Sequence, residues 1–115
     1  MSTRRQDVFG APITRVRGNT APDRIRVTGL DLTGFSYAMK IGPERNGTPE
    51  DVIVEINGVI EEVGPPGSVQ FPWTAEHADQ TPATYWYEIR QTDNLGKVLT
   101  IVKQTYTFLS DVDGE

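Results

Sequence analysis

The sequence predicts an all-β fold, an antiparallel β sandwich or barrel formed as a single domain. Gly, Pro and Asn-Gly or Asp-Asn turn signals recur about every 8 to 15 residues, and the segments between them are rich in Val, Ile, Thr and aromatic residues. No segment of roughly 11 residues or more sustains the apolar stripe of an amphipathic helix. A chain of 115 residues is long enough for one domain core and too short for two.

The first strands are predicted from period-two alternation. Residues 12–17 are expected to be extended, within an N-terminal stretch of weak alternation. In residues 24–30, Ile25 and Val27 alternate with arginines, so the two apolar side chains share one face. Residues 35–41 alternate aromatic or aliphatic side chains with smaller or polar ones. These segments therefore predict half-buried strands.

The middle of the chain predicts a hairpin followed by a further strand. Residues 52–57 alternate apolar and polar side chains, and residues 59–63 follow directly. Asn57 and Gly58 between them are typical of a type I′ turn, because both residue types tolerate positive φ. Residues 68–73 are predicted as the next strand.

A short helical turn and a long hairpin are predicted to complete the domain. Thr74 precedes Ala-Glu-His-Ala and is a suitable N-cap for one helical turn. The hairpin over residues 84–108 places Tyr85 and Tyr87 on one face of its first strand and Trp86 on the other. The tyrosine face is predicted to enter the core, which leaves a large aromatic residue on the opposite face.

The face that carries Trp86 is predicted to be a contact surface. Glu88 and Arg90 share this face, because they follow Trp86 at intervals of two. A tryptophan on the face opposite the core indicates that this face is covered in an assembly. We therefore expect Trp86, Glu88 and Arg90 to bind a partner.

Charge is distributed unevenly along the chain. Residues 1–26 hold six arginines and two aspartates, whereas the remainder holds five basic and 14 acidic residues, within a net charge of −5. This pattern predicts three parts: a basic N-terminal arm (1–22), a β-sandwich domain (23–110) and an acidic C-terminal tail (111–115). The arm is expected to bind an acidic surface of a partner through four arginines: Arg4, Arg5, Arg15 and Arg17.

The sequence offers no set of residues for catalysis, a cofactor or a metal. It contains no Cys, and its one His, His77, has only Glu76 and Asp79 nearby in a loop. Glu61 and Glu62 are adjacent on a predicted strand and so point to opposite faces. No phosphate-binding loop, nucleophile elbow or metalloprotease motif is present. We expect a non-enzymatic protein without a cofactor or a metal site.

Membrane and secretory segments are also not expected. No apolar run approaches the roughly 18 residues of a membrane helix, and the N-terminal arginines are not followed by an apolar signal core. Together with the lack of Cys, this predicts assembly in a reducing cytoplasm.

Several short motifs resemble, in order, the N-terminal immunoglobulin-like domain of phage baseplate upper proteins and related virion proteins of tailed phages. The resemblance spans residues 17–109. It departs from the family at Ala83-Thr84, where Gly-Thr or Gly-Arg usually precedes the first tyrosine, and at Gln104, where glycine is common. The matching residues form an opening, a turn and a closing hairpin: Arg17 to Thr20, Asp31 to Gly34, Tyr85, Tyr87, Thr92, Asp93, Gly96 and Thr105 to Phe108.

This resemblance implies an immunoglobulin-like sandwich that serves as a structural protein of the virion, made and assembled in the cytoplasm of a bacterial host. The expected partners are other virion proteins: a tail, fibre, connector or major capsid protein. The chain is expected to be homo-oligomeric or present in many copies. Two positions stay open, a tail, collar or baseplate adaptor and a capsid decoration protein on the head.

A second class of function is a carbohydrate- or host-surface-binding module. Trp73 and Trp86, if both faced outward, would form a platform on which a sugar ring stacks. Nucleic acid is disfavoured as a partner, because the body of the chain is acidic and would repel phosphates.

Overall fold

The computed structural model describes residues 12–44 and 51–110, and within them the chain forms two β-sheets and one short helix. The predicted all-β class is confirmed, and each predicted strand is found within a few residues of its expected bounds. The strands and helix are β1 (Ile13–Val16), β2 (Asp23–Val27), β3 (Ser36–Gly42), β4 (Val54–Asn57), β5 (Val59–Glu62), β6 (Gly67–Phe71), α1 (Ala75–Ala78), β7 (Ala83–Thr92) and β8 (Val98–Leu109).

The two sheets have five and three strands. The five-stranded sheet has the order β1-β8-β7-β3-β4, and the three-stranded sheet has the order β2-β6-β5. Neighbouring strands are antiparallel except β1 and β8, which run parallel. The expected antiparallel sandwich is therefore corrected at one edge, where the first and last strands of the domain pair in parallel.

The core lies between the sheets and follows the predicted alternation. The inner residues of β3 and β7 are almost completely buried, while their neighbours along each strand face outward. Burial raises the pKa of Tyr37 to about 12. Its hydroxyl donates to the Gln91 side-chain oxygen at 2.8 Å. Among the described residues, the largest fully buried side chains are those of Leu32, Met39, Ile41, Val54, Val69, Phe71, Ile89, Tyr106 and Phe108.

The predicted hairpin at Asn57 and Gly58 is wrong. Strand β4 belongs to the five-stranded sheet and β5 to the three-stranded sheet, so the chain crosses the sandwich at this point. Among the glycines of residues 12–44 and 51–110, five others have positive φ and Gly58 does not, which excludes a type I′ turn. A Cβ atom at Gly58 would lie 2.7 Å from Val69 Cγ1 and 2.9 Å from Phe71 Cε1. Glycine is required here because the backbone passes directly against the core.

The domain begins earlier than the predicted boundary between arm and domain at residue 22. Strand β1 pairs with β8 over Ile13–Val16, so the described part of the predicted arm belongs to the five-stranded sheet. The Arg17 N–H continues this contact by donating to the Leu109 carbonyl at 2.9 Å. Residues 1–11 and the predicted acidic tail (111–115) lie outside the described residues.

Two turns form as the sequence predicts, through an aspartate side chain followed by a glycine with positive φ. Asp31 Oδ1 accepts from the Thr33 hydroxyl at 2.7 Å and from its N–H at 2.9 Å, and Gly34 has φ +82°. Asp93 Oδ1 accepts from the N–H groups of Lys97 and Leu95 at 2.8 and 2.9 Å. In both turns these hydrogen bonds hold the pKa of the aspartate below its ordinary value of 3.8.

The Asp93 turn gives a pH-dependent prediction. Because its pKa is lowered in the folded state, the carboxylate stabilises the fold above pH 3.8, and this contribution is lost as pH falls through the lowered value. Asp93→Asn is expected to have a lower Tm than the native chain at pH 7. The difference in Tm between the two proteins should become smaller when thermal unfolding is measured at decreasing pH, from pH 7 to pH 2. A gap that widens toward acid would contradict this account of the turn.

The short helix α1 forms at the predicted place with Thr74 as its N-cap. The Thr74 hydroxyl accepts from the His77 N–H at 3.1 Å, and His77 Nδ1 accepts from the Thr74 N–H at 3.3 Å. This reciprocal capping box uses His77 where Glu or Gln is more usual. With four residues, α1 has neither the length nor the apolar character of a membrane span.

Candidate functional site

The side of the five-stranded sheet that faces away from the core is the candidate functional site, and we call it the outer face. On the central strand β7 it presents Trp86, Glu88 and Arg90, as the alternation predicts. Trp86 and Glu88 are half-buried and Arg90 is exposed, whereas the intervening Tyr87 and Ile89 are buried. The structure therefore brings the three predicted contact residues of β7 together on one accessible surface.

Charged residues form an alternating row across the outer face. In register, Lys40 on β3 lies opposite Glu55 on β4 and also opposite Glu88 on β7. Glu88 in turn lies opposite Lys103 on β8. Directly opposed side chains in a sheet have Cβ atoms about 5 Å apart, so opposite charges in these positions attract each other. We call these four residues the charged row, and its signs alternate from one strand to the next.

In two rows of the outer face, β7 carries a large side chain and β3 a small one. Trp86 lies opposite Gly42 of β3, and Arg90 lies opposite Ala38. The Arg90 side chain also bends along its own strand, where its Nε lies 2.7 Å from a Glu88 carboxylate oxygen. A large side chain beside a small one in these two rows produces a ridge on β7 and a trough on β3.

The trough is a shallow concavity of about 480 Å³. Both small and charged side chains line it. Its lining residues come from β3, β4 and the β7–β8 hairpin: Ser36, Tyr37, Ala38, Lys40, Glu55, Asn57, Gly58, Arg90, Thr92 and Val98. The outer face thus offers a protein partner a depression around Ala38 and Arg90, and a partly exposed tryptophan further along β7.

Arg15, predicted to bind a partner, instead lies inside the sandwich with 6% of its surface exposed. Its Nε donates to the Tyr106 hydroxyl at 2.8 Å, and its Nη2 lies 3.2 Å from Asp23 Oδ1. The guanidinium carbon stands 3.9 Å from the centroid of the Trp73 ring, a cation–π distance. The expectation of an external partner is corrected, because the alternation of β1 turns Arg15 inward beside Phe108.

Asp23 connects the other polar groups of this cluster. Its Oδ2 accepts from the Tyr106 hydroxyl at 2.6 Å and from the Trp73 indole N–H at 3.0 Å. Burial and the neighbouring Asp23 charge raise the pKa of Tyr106, which keeps its hydroxyl protonated and able to donate. We call Arg15, Asp23, Trp73 and Tyr106 the buried cluster. It joins the first and last strands of the domain to the three-stranded sheet.

The other predicted arginines have different positions. Arg17 is on the surface and contacts its own domain, since its Nε and Nη2 both donate to Asp79 Oδ1, at 2.9 and 2.7 Å. Arg4 and Arg5 lie outside the described residues. Of the four arginines predicted to form a basic arm, the two that the structure describes thus take part in contacts within the chain.

Two alternative kinds of site are not assembled in the described residues. His77 is occupied in the capping box, and residues 12–44 and 51–110 contain no group of three or more His, Asp or Glu side chains placed to hold a metal ion. Trp73 is 6% exposed and lies beneath Arg15, so it does not form a sugar-binding platform with Trp86.

The tip of the β7–β8 hairpin is a second accessible surface, which the sequence analysis missed. Leu95 in the turn has 90% of its surface exposed, and Val98 and Leu99 at the start of β8 are more than half exposed. This tip lies at the opposite end of the hairpin from β1, which pairs with the last four residues of β8. The sequence signal that could have predicted this surface is the presence of apolar residues in and directly after the Asp-Asn-Leu-Gly turn.

The two packed sheets define an immunoglobulin-like β sandwich, as predicted. No protein-family model and no curated protein matches the chain. Among solved structures, it is similar to CopC from Methylosinus trichosporium OB3b, with a TM-score of 0.50, 11% identity and 85% of each chain covered. It is also similar to the periplasmic chaperone SfaE, with a TM-score of 0.43, 12% identity, and coverage of 90% of this chain and 56% of that one. At these identities the likeness shows the fold alone.

Proposed function

We propose that this chain is a non-enzymatic structural subunit of a tailed-phage virion, which binds neighbouring virion proteins through its outer face. The observation that carries the proposal is Trp86, which is held partly exposed on the outer face of the central strand β7, on the same strand as Arg90. The ordered sequence motifs of residues 17–109 supply the virion context. The adaptor and capsid-decoration positions are both compatible with this proposal, and the adaptor is our preferred position.

The outer face has the composition of a protein-binding surface. Tryptophan and arginine are among the residue types most enriched in side chains that dominate binding energy at interfaces. Trp86 and Arg90 supply one of each on the same strand, and a polar rim of threonine and charged residues surrounds them. A sugar site would require further exposed aromatic side chains, and Trp73 is buried.

An adaptor requires two separate contact surfaces, and Leu95 at the turn of the β7–β8 hairpin provides the second. Leu95 projects from the end of the sandwich, whereas Trp86 lies on a sheet face, so the two surfaces address different directions. Leu95 and Leu99 are both more than half exposed at this tip, and neighbouring exposed apolar residues favour a covered state in an assembly. This separation of surfaces is the reason for preferring the adaptor over the decoration protein.

The main test is Trp86→Ala in the phage. The variant should fold, with a free energy of unfolding within about 1 kcal/mol of the native chain, because Trp86 lies on the outer face and not in the core. Its occupancy in purified particles should fall to background. Occupancy is measured by quantitative mass spectrometry of particles produced with the variant as the sole source of this chain.

Glu76→Ala, on the exposed side of α1, is the matched control and should enter particles at native occupancy. Native occupancy of Trp86→Ala would overturn the proposal. A loss of about 3 kcal/mol or more on this substitution would show that Trp86 is a core residue. The same measurement on native particles distinguishes the two positions: hundreds of copies indicate capsid decoration, and a few dozen or fewer indicate a tail or collar adaptor.

A further inference from the structure

We propose that the occupant of the outer face is a second copy of this chain, packed face to face about a two-fold axis. The axis runs parallel to the strands and passes between β3 and β7. This inference rests on the proposed function in treating the outer face as an interface, and it names the partner there. The outer face is complementary to itself in both charge and shape under this one rotation.

The charged row is complementary to itself when its order is reversed. Read across the sheet, the row is Glu55, Lys40, Glu88, Lys103. A two-fold axis parallel to the strands reverses this order in the second copy. Lys40 of one copy then faces Glu88 of the other, and Glu55 faces Lys103. Each of the four positions meets the opposite charge, and such complementarity fixes the register of an interface.

The ridge on β7 and the trough on β3 are complementary in shape. The same rotation places β7 of one copy over β3 of the other. Trp86 then faces Gly42, and Arg90 faces Ala38, because each of these pairs shares a row of the sheet. A two-fold interface is formed by the same patch on both copies, so a surface with a ridge beside a trough fits itself. The concavity of about 480 Å³ is lined by Ala38, so under this rotation it faces the partner's Arg90.

The alternative two-fold axis, perpendicular to the strands within the interface, has neither property. It keeps the order of the charged row, so Glu88 meets Glu88 and Lys40 meets Lys40 along the axis. Like charges placed opposite each other across an interface are repulsive. It also sets the β7 ridges against each other. Both axes keep the strands of the two sheets roughly aligned, which is the usual geometry of face-to-face sheet packing, so charge and shape decide between them.

The test uses charge reversal in the full chain, with dimer affinity measured by sedimentation equilibrium at low salt. The native chain is expected to be a dimer. Lys40→Glu alone places a carboxylate opposite Glu88 across the axis, and Glu88→Lys alone sets two ammonium groups together. Each single variant should dimerise at least tenfold more weakly than the native chain. An equimolar mixture of the two restores opposite charges at all four positions, so it should form a mixed dimer with nearly native affinity.

Recovery of dimer affinity in the mixture would show that residues 40 and 88 meet across the interface between two copies. Pairing of these residues within one sheet cannot explain it, because each protein keeps its own single substitution when the two are mixed. Circular dichroism of each variant checks that it is folded. Glu62→Lys, on the three-stranded sheet, is the matched charge-reversal control and should dimerise like the native chain. Ala38→Tyr fills the trough with a residue suited to strands and should also weaken the dimer at least tenfold.

A monomeric native chain, or a mixture of the two variants that stays monomeric, would overturn the two-fold interface. If Trp86→Ala is nevertheless lost from particles, the outer face binds a different virion protein and the proposed function stands without this inference. If the dimer behaves as described but the chain is absent from particles, the two-fold interface stands and the virion role fails.

Discussion

Replacing Arg15 with alanine is expected to lower the free energy of unfolding by about 3–5 kcal/mol. The Arg15 side chain is 5% exposed and its partner Asp23 is 16% exposed, so the pair is shielded from water. Removing the guanidinium leaves the Asp23 carboxylate in the interior without its cation. The hydrogen bonds from Tyr106 and Trp73 remain, but neither neutralises the charge. The cost of an uncompensated charge in such a place exceeds that of most single substitutions.

Urea unfolding of the two proteins at pH 7 measures this loss. Arg17→Ala is the matched control, because Arg17 makes its ion pair with Asp79 at the surface. Such exposed pairs contribute less than about 1 kcal/mol, so the control should unfold almost like the native chain. Arg15→Met combined with Asp23→Asn should recover part of the loss, since it removes both charges and retains an apolar stem over Trp73. A loss below about 1 kcal/mol for Arg15→Ala would contradict the account of the buried cluster.

The buried cluster changes how the N-terminal segment is to be tested. Removing residues 1–15 would delete most of β1 together with Arg15, so it would unfold the edge of the sandwich. If that deletion abolished binding to particles, the cause would be loss of stability, and the result would not show that the N-terminal segment binds a partner. Arg4 and Arg5 precede β1, so their substitution leaves the paired strand intact. The predicted basic contact is therefore confined to these two residues.

The strands were predictable because one face of each strand is buried, which imposes a period of two on the sequence. In β7, the buried Tyr87 and Ile89 alternate with outward side chains, and this pattern alone places Trp86 on the outer face. The turns at Asp31 and Asp93 were predictable for a different reason. Each depends on hydrogen bonds to neighbours within four residues, so no tertiary information is needed.

The buried cluster was not predictable, because its members lie far apart in the chain. Arg15 shares a strand face with the apolar Ile13, but charge at the N-terminus suggests exposure. Its burial depends on contacts with Asp23 and with Tyr106, which is 91 residues away. The charged row on the outer face depends on the register of four strands in the same way. Where alternation is clear, the sequence shows that a residue of the row faces outward. It does not show that the four residues lie in one row across the sheet.

The crossing at Gly58 shows how one local signal supports two structures. Asn-Gly between two apolar segments is the strongest short-range signal of a hairpin, because glycine permits positive φ. Here the glycine serves through a second property, the absence of a Cβ atom. The backbone passes within the reach of Val69, Phe71 and Tyr37 as it moves from one sheet to the other. Only the packing of the two sheets reveals which property of glycine is used.

Gly58→Ala is accordingly expected to lower the free energy of unfolding by about 1–3 kcal/mol. The new Cβ would lie 2.7 Å from Val69 Cγ1 and 2.9 Å from the Phe71 ring, and both side chains are fully buried. Neither has free space into which to move, so the two sheets must separate slightly or adopt strained side-chain conformations. Urea unfolding measures the loss, and Asn57→Ala provides the matched control.

The control distinguishes packing from turn chemistry. A type I′ turn would make Asn57 important as well, because asparagine tolerates positive φ better than alanine. In the crossing, Asn57 is exposed at the end of β4, and its replacement should change stability by no more than about 0.5 kcal/mol. Combining Gly58→Ala with Val69→Ala removes the contacting methyl groups, so the double variant should lose less stability than the two single losses added together. Simple additivity would show that Val69 does not oppose the new Cβ, and a large effect of Asn57→Ala would restore the turn.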